Sequence, residues 1–197
     1  AIPQHTVDAL MVAVNVANHL QQVVSRRIDP LEPAVLTIGT LHSGQAFNVI
    51  AEEAKLSGTV RTFTRETQKK IISDMERIIR SVCEASDADY ELEYIKGYPA
   101  VVNHVTETEL VRESAVEVVG ADGVIEMAPL MVGEDFAYYV EHVPGSFFFT
   151  GAGNPELSAI FPHHHPRFDV DERAMLHTAQ VLLGALQRTW MVHEKEG

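Results

Sequence analysis

Three consecutive histidines held between two prolines, in Phe161-Pro162-His163-His164-His165-Pro166-Arg167-Phe168-Asp169-Val170-Asp171-Glu172, are the residues of this chain best suited to chemistry. Neutral imidazole ligates zinc and similar ions, and nearby carboxylates can ligate the same ion or orient the ligating ring. The prolines favour an extended backbone. Side chains alternate along an extended segment, so His163 and His165 are expected to point one way and His164 the other, and all three could not share one ion. A charged, solvated loop leading into a helix accounts for the same residues without a metal.

Three further features could carry chemistry, each with a plainer alternative beside it. Glu134 and Asp135 are adjacent carboxylates behind Gly133, able to ligate, to support a ligand or to serve as acid and base; acids also gather at helix N-termini, where the dipole favours them. Gly151-Ala152-Gly153 could offer backbone N–H groups to an anion, and an ordinary turn explains it equally well. Arg61 could fork onto a substrate carboxylate, or be a solvated arginine on a strand face. His19 and His177 fall within helices, and His42, His104 and His142 are isolated in loops or at element ends, so a structural role is expected for each; His5 has no assignable neighbour.

Hydrophobic periodicity shows the elements that must position these residues. Val7, Leu10, Met11, Val14, Ala17 and Val24 recur at helical spacing, with Thr6 as the expected N-cap and Asp8 near the positive end of the dipole, and the helix stops before Pro30. Ala34 to Leu41 predicts a strand. After a Ser43-Gly44 turn, a second strand puts Ala54, Leu56, Gly58, Val60 and Thr62 on one face and Lys55, Ser57, Thr59, Arg61 and Phe63 on the other. Thr64 caps a helix with Ile71, Ile72, Met75, Ile78, Ile79, Val82 and Cys83 on its apolar side, which makes Cys83 a packing residue rather than a nucleophile. Tyr90, Leu92 and Tyr94 alternate with Glu91 and Glu93 as a third strand, so residues 1–98 read α-β-β-α-β, a split βαβ (ferredoxin-like) sandwich lacking its first strand.

Residues 99–197 open with a capping-box pattern, Thr106-Glu107-Thr108-Glu109, ahead of a helix that carries Leu110, Val111, Ser114 and Val118 and stops at Gly120. Strands are expected at Val124 to Met127 and Ser146 to Thr150, a short helix after Gly133, and a final helix from Asp171 to about Trp190. The fold class is α/β, a mixed α+β arrangement with too few strands in its second half for a self-contained sheet.

Composition excludes more than it selects. Across 197 residues, 46% hydrophobic and 22% charged content is that of a globular protein able to bury a core. A formal charge of −13, with no basic run, argues against nucleic acid as a partner. The single cysteine leaves no intrachain disulfide and no multi-cysteine zinc site. No stretch approaches the ~20 apolar residues that span a bilayer, and there is no basic-then-apolar leader, so a cytoplasmic location without membrane association is expected.

Pro3-x-x-Thr6-Val7-Asp8, Asn48-Val49-Ile50 followed by Gly58-Thr59-Val60-Arg61-Thr62, Gly133-Glu134-Asp135-Phe136-Ala137 and His164-His165-Pro166-Arg167-Phe168-Asp169 occur in an order and spacing that resemble the zinc-type metallo-amidohydrolases and exopeptidases, among them hippurate hydrolase, N-acyl-L-amino-acid amidohydrolase and the auxin-conjugate hydrolases. The resemblance covers essentially the whole chain. It implies that residues 1–98 are an incomplete lid or dimerisation domain and that residues 99–197 are the C-terminal portion of a zinc-exopeptidase α/β catalytic domain. It implies hydrolysis of an N-acyl amino acid at a centre of two divalent ions, zinc in the first place with manganese or cobalt as alternatives, and a homodimer formed through the lid. His164 matches the family's terminal metal-ligating histidine. Glu134 and Asp135 match a supporting active-site motif, and Asn48 and Arg61 match lid positions that approach the substrate. Gly151 is retained as a substrate-side backbone donor.

Ala51 stands where relatives have proline. The family's Cys-Gly-His-Asp and Glu-Glu segments, which supply the other ligands and the general base, are not in this sequence, nor is a Gly-Gly-His segment expected just ahead of Ala1. The expectation is therefore a C-terminal fragment of such an enzyme, inactive alone. A carboxypeptidase or dipeptidase of the same family, and a non-catalytic chain that keeps the lid as an association module, are the competing readings.

Overall fold

The computed structural model describes residues 2–196, with side chains as far as Met191. The chain divides into two compact units, Ala1–Ala100 with Leu130–Gly133, and Val101–Pro129 with Glu134–Gly197.

In the first unit, helix α1 (Ala9–Arg27) begins at Asp8, whose carboxylate accepts from the Met11 N–H at 3.1 Å. The expected cap, Thr6, lies outside the helix because Pro3–His5 form a 3-10 turn that leaves Thr6 extended. A carboxylate at Asp8 also meets the positive end of the helix dipole, which a hydroxyl does not. Strands β1 (Ala34–Ser43) and β2 (Ala54–Thr62) form an antiparallel hairpin that sets Ala34 opposite Thr62 and Leu41 opposite Leu56, with a bulge between Ile38 and Thr40. Next to that bulge a Cβ on Gly58 would stand 2.2 Å from the Thr37 carbonyl oxygen, so only glycine admits this approach of the two backbones.

Helix α2 (Arg65–Glu84) starts, as expected, at Thr64, whose hydroxyl accepts from the Thr67 N–H at 3.1 Å. Val12, Val16, Leu20 and Val23 of α1 meet Ile71, Ile79 and Cys83 of α2, and Leu36, Ile38, Leu56 and Val60 of the hairpin pack against them. Val23 and Ile71 are fully buried, and burial of side chains of this size contributes roughly 1.5–3 kcal/mol each. Cys83 belongs to this core, and burial pushes its thiol up, away from the reactive thiolate. Beside the core, the buried carboxylate of Asp74 takes Arg27 Nε at 2.8 Å, Lys70 Nζ at 2.9 Å and Arg77 Nη2 at 3.0 Å, tying the last residue of α1 to α2.

Ala88 and Leu92 face the same core and exposure alternates from Glu91 to Tyr94 as expected for a strand, whereas Tyr90, expected on the buried face, is exposed. This segment pairs with no ladder among the described residues, where the two-stranded sheet is β1 and β2. Alternation requires only one apolar surface, whereas a ladder requires a neighbouring backbone, and the strand that a split βαβ sandwich places before α1 is not in this sequence.

In the second unit, helix α3 (Val105–Val119) begins earlier than the capping-box pattern indicates. Its N-cap is His104, and Thr108 Oγ, inside the helix, donates to the His104 carbonyl at 2.7 Å. Long-range bonds fix this start: His104 N–H donates to Gly145 O at 3.0 Å, and Gly145 N–H donates to His104 Nδ1 at 3.2 Å. His104 is thus structural, as expected. The helix ends at Gly120 with φ 79° and ψ 163°, a positive-φ conformation essentially restricted to glycine. Helix α4 (Phe136–Val140) is the short helix expected after Gly133, and helix α5 (Arg173–Glu196) is the long last helix.

Close packing joins α3 to α5. A Cβ on Gly184 would lie 3.2 Å from Ser114, which is fully buried, and Arg188 donates to Ser114 Oγ at 3.1 Å while pairing with Glu113 and Glu117. The segments expected as strands at Val124 to Met127 and Ser146 to Thr150 are in no ladder among the described residues. Asn103 stands in for a strand neighbour there, its amide donating to Phe147 O and accepting from Phe147 N–H, both at 2.8 Å. Among the described residues no helix is long and apolar enough to cross a membrane.

Candidate active site

The histidine segment is not extended. His165 N–H donates to Pro162 O at 3.2 Å and Phe168 N–H donates to His165 O at 2.9 Å, so residues 162–168 form two successive turns. Pro166 sits at the second position of the second turn, where its fixed φ suits the bend. The three imidazoles are therefore separated by ring packing, and strand alternation does not apply. His163 meets Phe168 edge-on with centroids 5.0 Å apart. His165 stacks on Phe161 at 4.4 Å, Arg167 Cζ lies 4.3 Å from the Phe161 centroid, and His165 Nδ1 accepts from the Arg167 N–H at 3.1 Å. That bond places the His165 proton on Nε2.

His164 differs from both neighbours. It has φ 67°, a left-handed conformation at the third position of the first turn, where glycine or asparagine is favoured. Its ring is exposed and has no hydrogen bond or ring contact among the described residues. Both nitrogens are open to an outside ligand. A non-glycine residue held in this region costs about 1–3 kcal/mol and persists where surrounding contacts over-determine it, commonly at functional sites.

A buried polar cluster lies at the base of the loop. Asn154 Nδ2 donates to Asp171 Oδ2 at 2.7 Å, and both side chains are buried. Asp171 N–H donates to Ala152 O at 2.9 Å, while Asn154 and Ala159 exchange two backbone bonds at 2.8 and 3.0 Å. Arg173 donates to the Asp171 carboxylate from its backbone N–H and from Nε, both at 3.0 Å. The Arg173 guanidinium first, then the Asn154 amide and the Arg173 backbone N–H, hold the Asp171 carboxyl far below the usual carboxylate range. Sequence reading missed this cluster. Asp171 carried a signal as an acid opening a helix, but nothing in the sequence pairs it with an asparagine seventeen positions upstream.

Of the other expected site residues, Glu134 uses one oxygen to cap α4, accepting the Phe136 N–H at 3.1 Å. Asp135 is exposed and makes no capping bond. Gly151 is exposed, with a negative-φ-compatible backbone and open space where a Cβ would stand, so neither packing nor conformation demands glycine. The Asp171–Ala152 bond brings the Gly151–Gly153 segment to the base of the histidine loop. Asn48 and Arg61 belong to the first unit. Asn48 is exposed in the β1–β2 connection, anchored nearby where Ala9 N–H donates to the carbonyl of buried Ala51 at 3.3 Å. Arg61 lies on β2, and its Nη1 is 3.5 Å from where a Cβ on Gly133 would be.

No cluster of three or more His, Cys, Asp or Glu among the described residues could hold a metal ion. The donor chemistry fits one ligand, the free imidazole of His164, and does not amount to a complete centre, which takes at least three protein ligands.

The model of peptidase family M20/M25/M40 matches residues 4–188, and the chain belongs to that family. It is 42% identical over 185 residues to YhaA of Bacillus subtilis (strain 168), an amidohydrolase by name, covering 94% of this chain and 47% of that protein. It is 35% identical to the N-acetyldiaminopimelate deacetylase of Enterococcus faecalis, covering 95% of this chain and 48% of that one. The crystal structure of Bacillus subtilis YxeP, described as a dinuclear metal-binding peptidase of the M20 family, superposes with a TM-score of 0.66 at 27% identity over 91% of this chain and 45% of that one. The chain thus spans about half the length of the relatives it matches.

Proposed function

We propose that this chain is the C-terminal portion of a metal-dependent amidohydrolase that cleaves N-acyl amino acids, and that His164 is the metal ligand it contributes. The observation that carries the reading is that, of the three consecutive histidines, His164 alone has an unengaged imidazole, held in a left-handed turn between two neighbours occupied with aromatic partners. The names of the amidohydrolase and deacetylase relatives support the reaction class. The remaining ligands and the general base come from outside this sequence. Two divalent ions, zinc in the first place and manganese or cobalt as the alternatives, would polarise the amide carbonyl and lower the pKa of the attacking water. Asn48, Arg61 and the Gly151 segment are assigned to the substrate's charged end, and Glu134 and Asp135 to support of the site.

The test is release of free amino acid from N-acetyl-methionine and hippurate by the full-length, metal-loaded protein, compared with release from dipeptides and from peptide C-termini. Turnover of the acyl substrates is expected. Turnover of peptides alone would instead establish the peptidase reading, which the description of the YxeP structure favours. Absence of turnover on both sets, with metal bound, would leave the non-catalytic association role.

We further propose that the full-length protein is a homodimer joined through the first unit. β1 offers an outer edge with no ladder partner among the described residues, and Leu20, Val24, Ala34 and Val35 line a groove of about 300 Å³ between α1 and β1. Light scattering on the purified protein is expected to give twice the chain mass, and V35K on the strand edge is expected to shift it to monomer. A wild-type monomer at micromolar concentration would refute the assignment.

A further inference from the structure

We propose that Asn154 and Asp171 are positioning residues for the imidazole of His164, acting as a clasp that shuts the loop on which it is carried. The inference rests on the reading of His164 as a ligand. A loop from 154 to 171 has many conformations, and a ligand must be held within a fraction of an ångström to be useful. Inside the loop, the turns at 162–168 are local and exposed, and such turns alone do not maintain a residue at φ 67°. At its base, however, two buried polar side chains are satisfied by partners from both ends of the loop.

Asn154 accepts the Glu156 N–H at 2.9 Å through Oδ1, while its amide nitrogen donates to Asp171. Asp171 in turn receives Arg173 at the start of α5, and its own N–H reaches back to Ala152. The loop is thereby anchored to the long helix on one side and to the Gly151–Gly153 segment on the other. Ser158, at φ 59°, returns the chain so that Ala159 can pair with Asn154. None of these groups faces the exposed imidazole directly, so their effect on it passes through the backbone.

The test is a reciprocal exchange in the full-length protein. N154D sets a second carboxylate against Asp171 and breaks the clasp. N154D/D171N restores the bond between positions 154 and 171 in reverse: the new amide at 171 donates to the new carboxylate at 154, which still accepts the Glu156 N–H, and the amide oxygen at 171 keeps the Arg173 backbone N–H and Nε while Arg173 Nη2 gives up the oxygen it shared with Asn154. Hydrogen–deuterium exchange of residues 155–170 in the metal-free protein is expected to rise at least about tenfold in N154D and to return most of the way in the exchanged pair, which regains the 154–171 bond but not the contact of Arg173 Nη2. Cobalt affinity, read from visible absorption, is expected to fall about tenfold and recover likewise, a size typical of groups that orient metal ligands. N154A, which adds no charge, gives the same direction should N154D fail to fold. Unchanged loop exchange in N154D, with the cobalt spectrum lost in H164A, would overturn the clasp alone. A loosened loop with wild-type cobalt spectra in both N154D and H164A would overturn the ligand reading on which the clasp depends.

Discussion

On the proposed assignment of His164, full-length protein carrying H164A is expected to lose more than about a hundredfold of the hydrolytic rate proposed on N-acyl amino acids, and to bind less metal than wild type. Removing a group that merely orients a ligand already costs 10–100-fold, so removal of the ligand itself should cost more. H163A and H165A make the sharp comparison. Their rings are engaged with Phe168 and Phe161, so these variants should keep activity within about tenfold of wild type, the smaller loss expected of changes that touch only the ligand's surroundings. H164G adds an independent check. It lacks the imidazole and should be as inactive as H164A, yet it suits φ 67° and should be more stable than H164A by about 1 kcal/mol. Initial rates, metal content and urea denaturation of the four variants settle the matter, and equal losses in H163A and H164A would defeat the assignment of a single ligand.

Loss of the Asp74 carboxylate is expected to destabilise the first unit about as much as losing the burial of one core side chain. D74N keeps the shape of the side chain but leaves Arg27, Lys70 and Arg77 gathered around a neutral group. Breaking a fully buried ion pair costs about 3–5 kcal/mol and breaking an exposed one less than 1. The three cations here are partly solvated around a buried acid, so a loss of about 2 kcal/mol is expected. Burial would raise the Asp74 pKa, but the bonds from Lys70 and Arg27 outweigh it and hold the carboxyl below its usual value. Because the folded state binds the proton less readily than the unfolded chain, this contribution is intact above about pH 4 and disappears as the pH falls through the lowered folded value. Urea midpoints measured from pH 7 to pH 2.5 should therefore fall more steeply below pH 4 in wild type than in D74N. Parallel curves would show that Asp74 does not carry the charge assigned to it.

Much of the architecture follows from local pattern. The apolar spacing of Ile71, Ile79 and Cys83 marks the buried side of α2, and the alternation of Leu56 and Val60 marks the inner face of β2, because a helix and a strand each sort side chains by fixed periods. Thr64 and Gly120 mark helix ends through bonds and dihedrals confined to a few neighbouring residues. Where those local terms compete with distant ones, the reading fails. His104 displaces the capping box because Gly145, forty-one positions away, takes its backbone N–H and its ring nitrogen. Glu91 to Tyr94 has the alternation of a strand without a ladder, since periodicity records a buried face and says nothing of backbone pairing.

The same division runs through the candidate site. Residue types and their order identified the family and singled out the histidine segment, with His164 as the ligand proposed within it, because those properties are written in the chain whatever its conformation. Which imidazoles are occupied, and how the loop is closed, depended on rings and amides meeting through space. Phe161 and Phe168 take up His165 and His163, and Asn154 reaches Asp171 across the whole loop. The strand alternation expected to set His164 apart from its neighbours does not occur. An extended chain would have turned alternate side chains away; instead two turns, in a loop closed at its base by buried polar groups, leave one of the three imidazoles without a partner among the described residues.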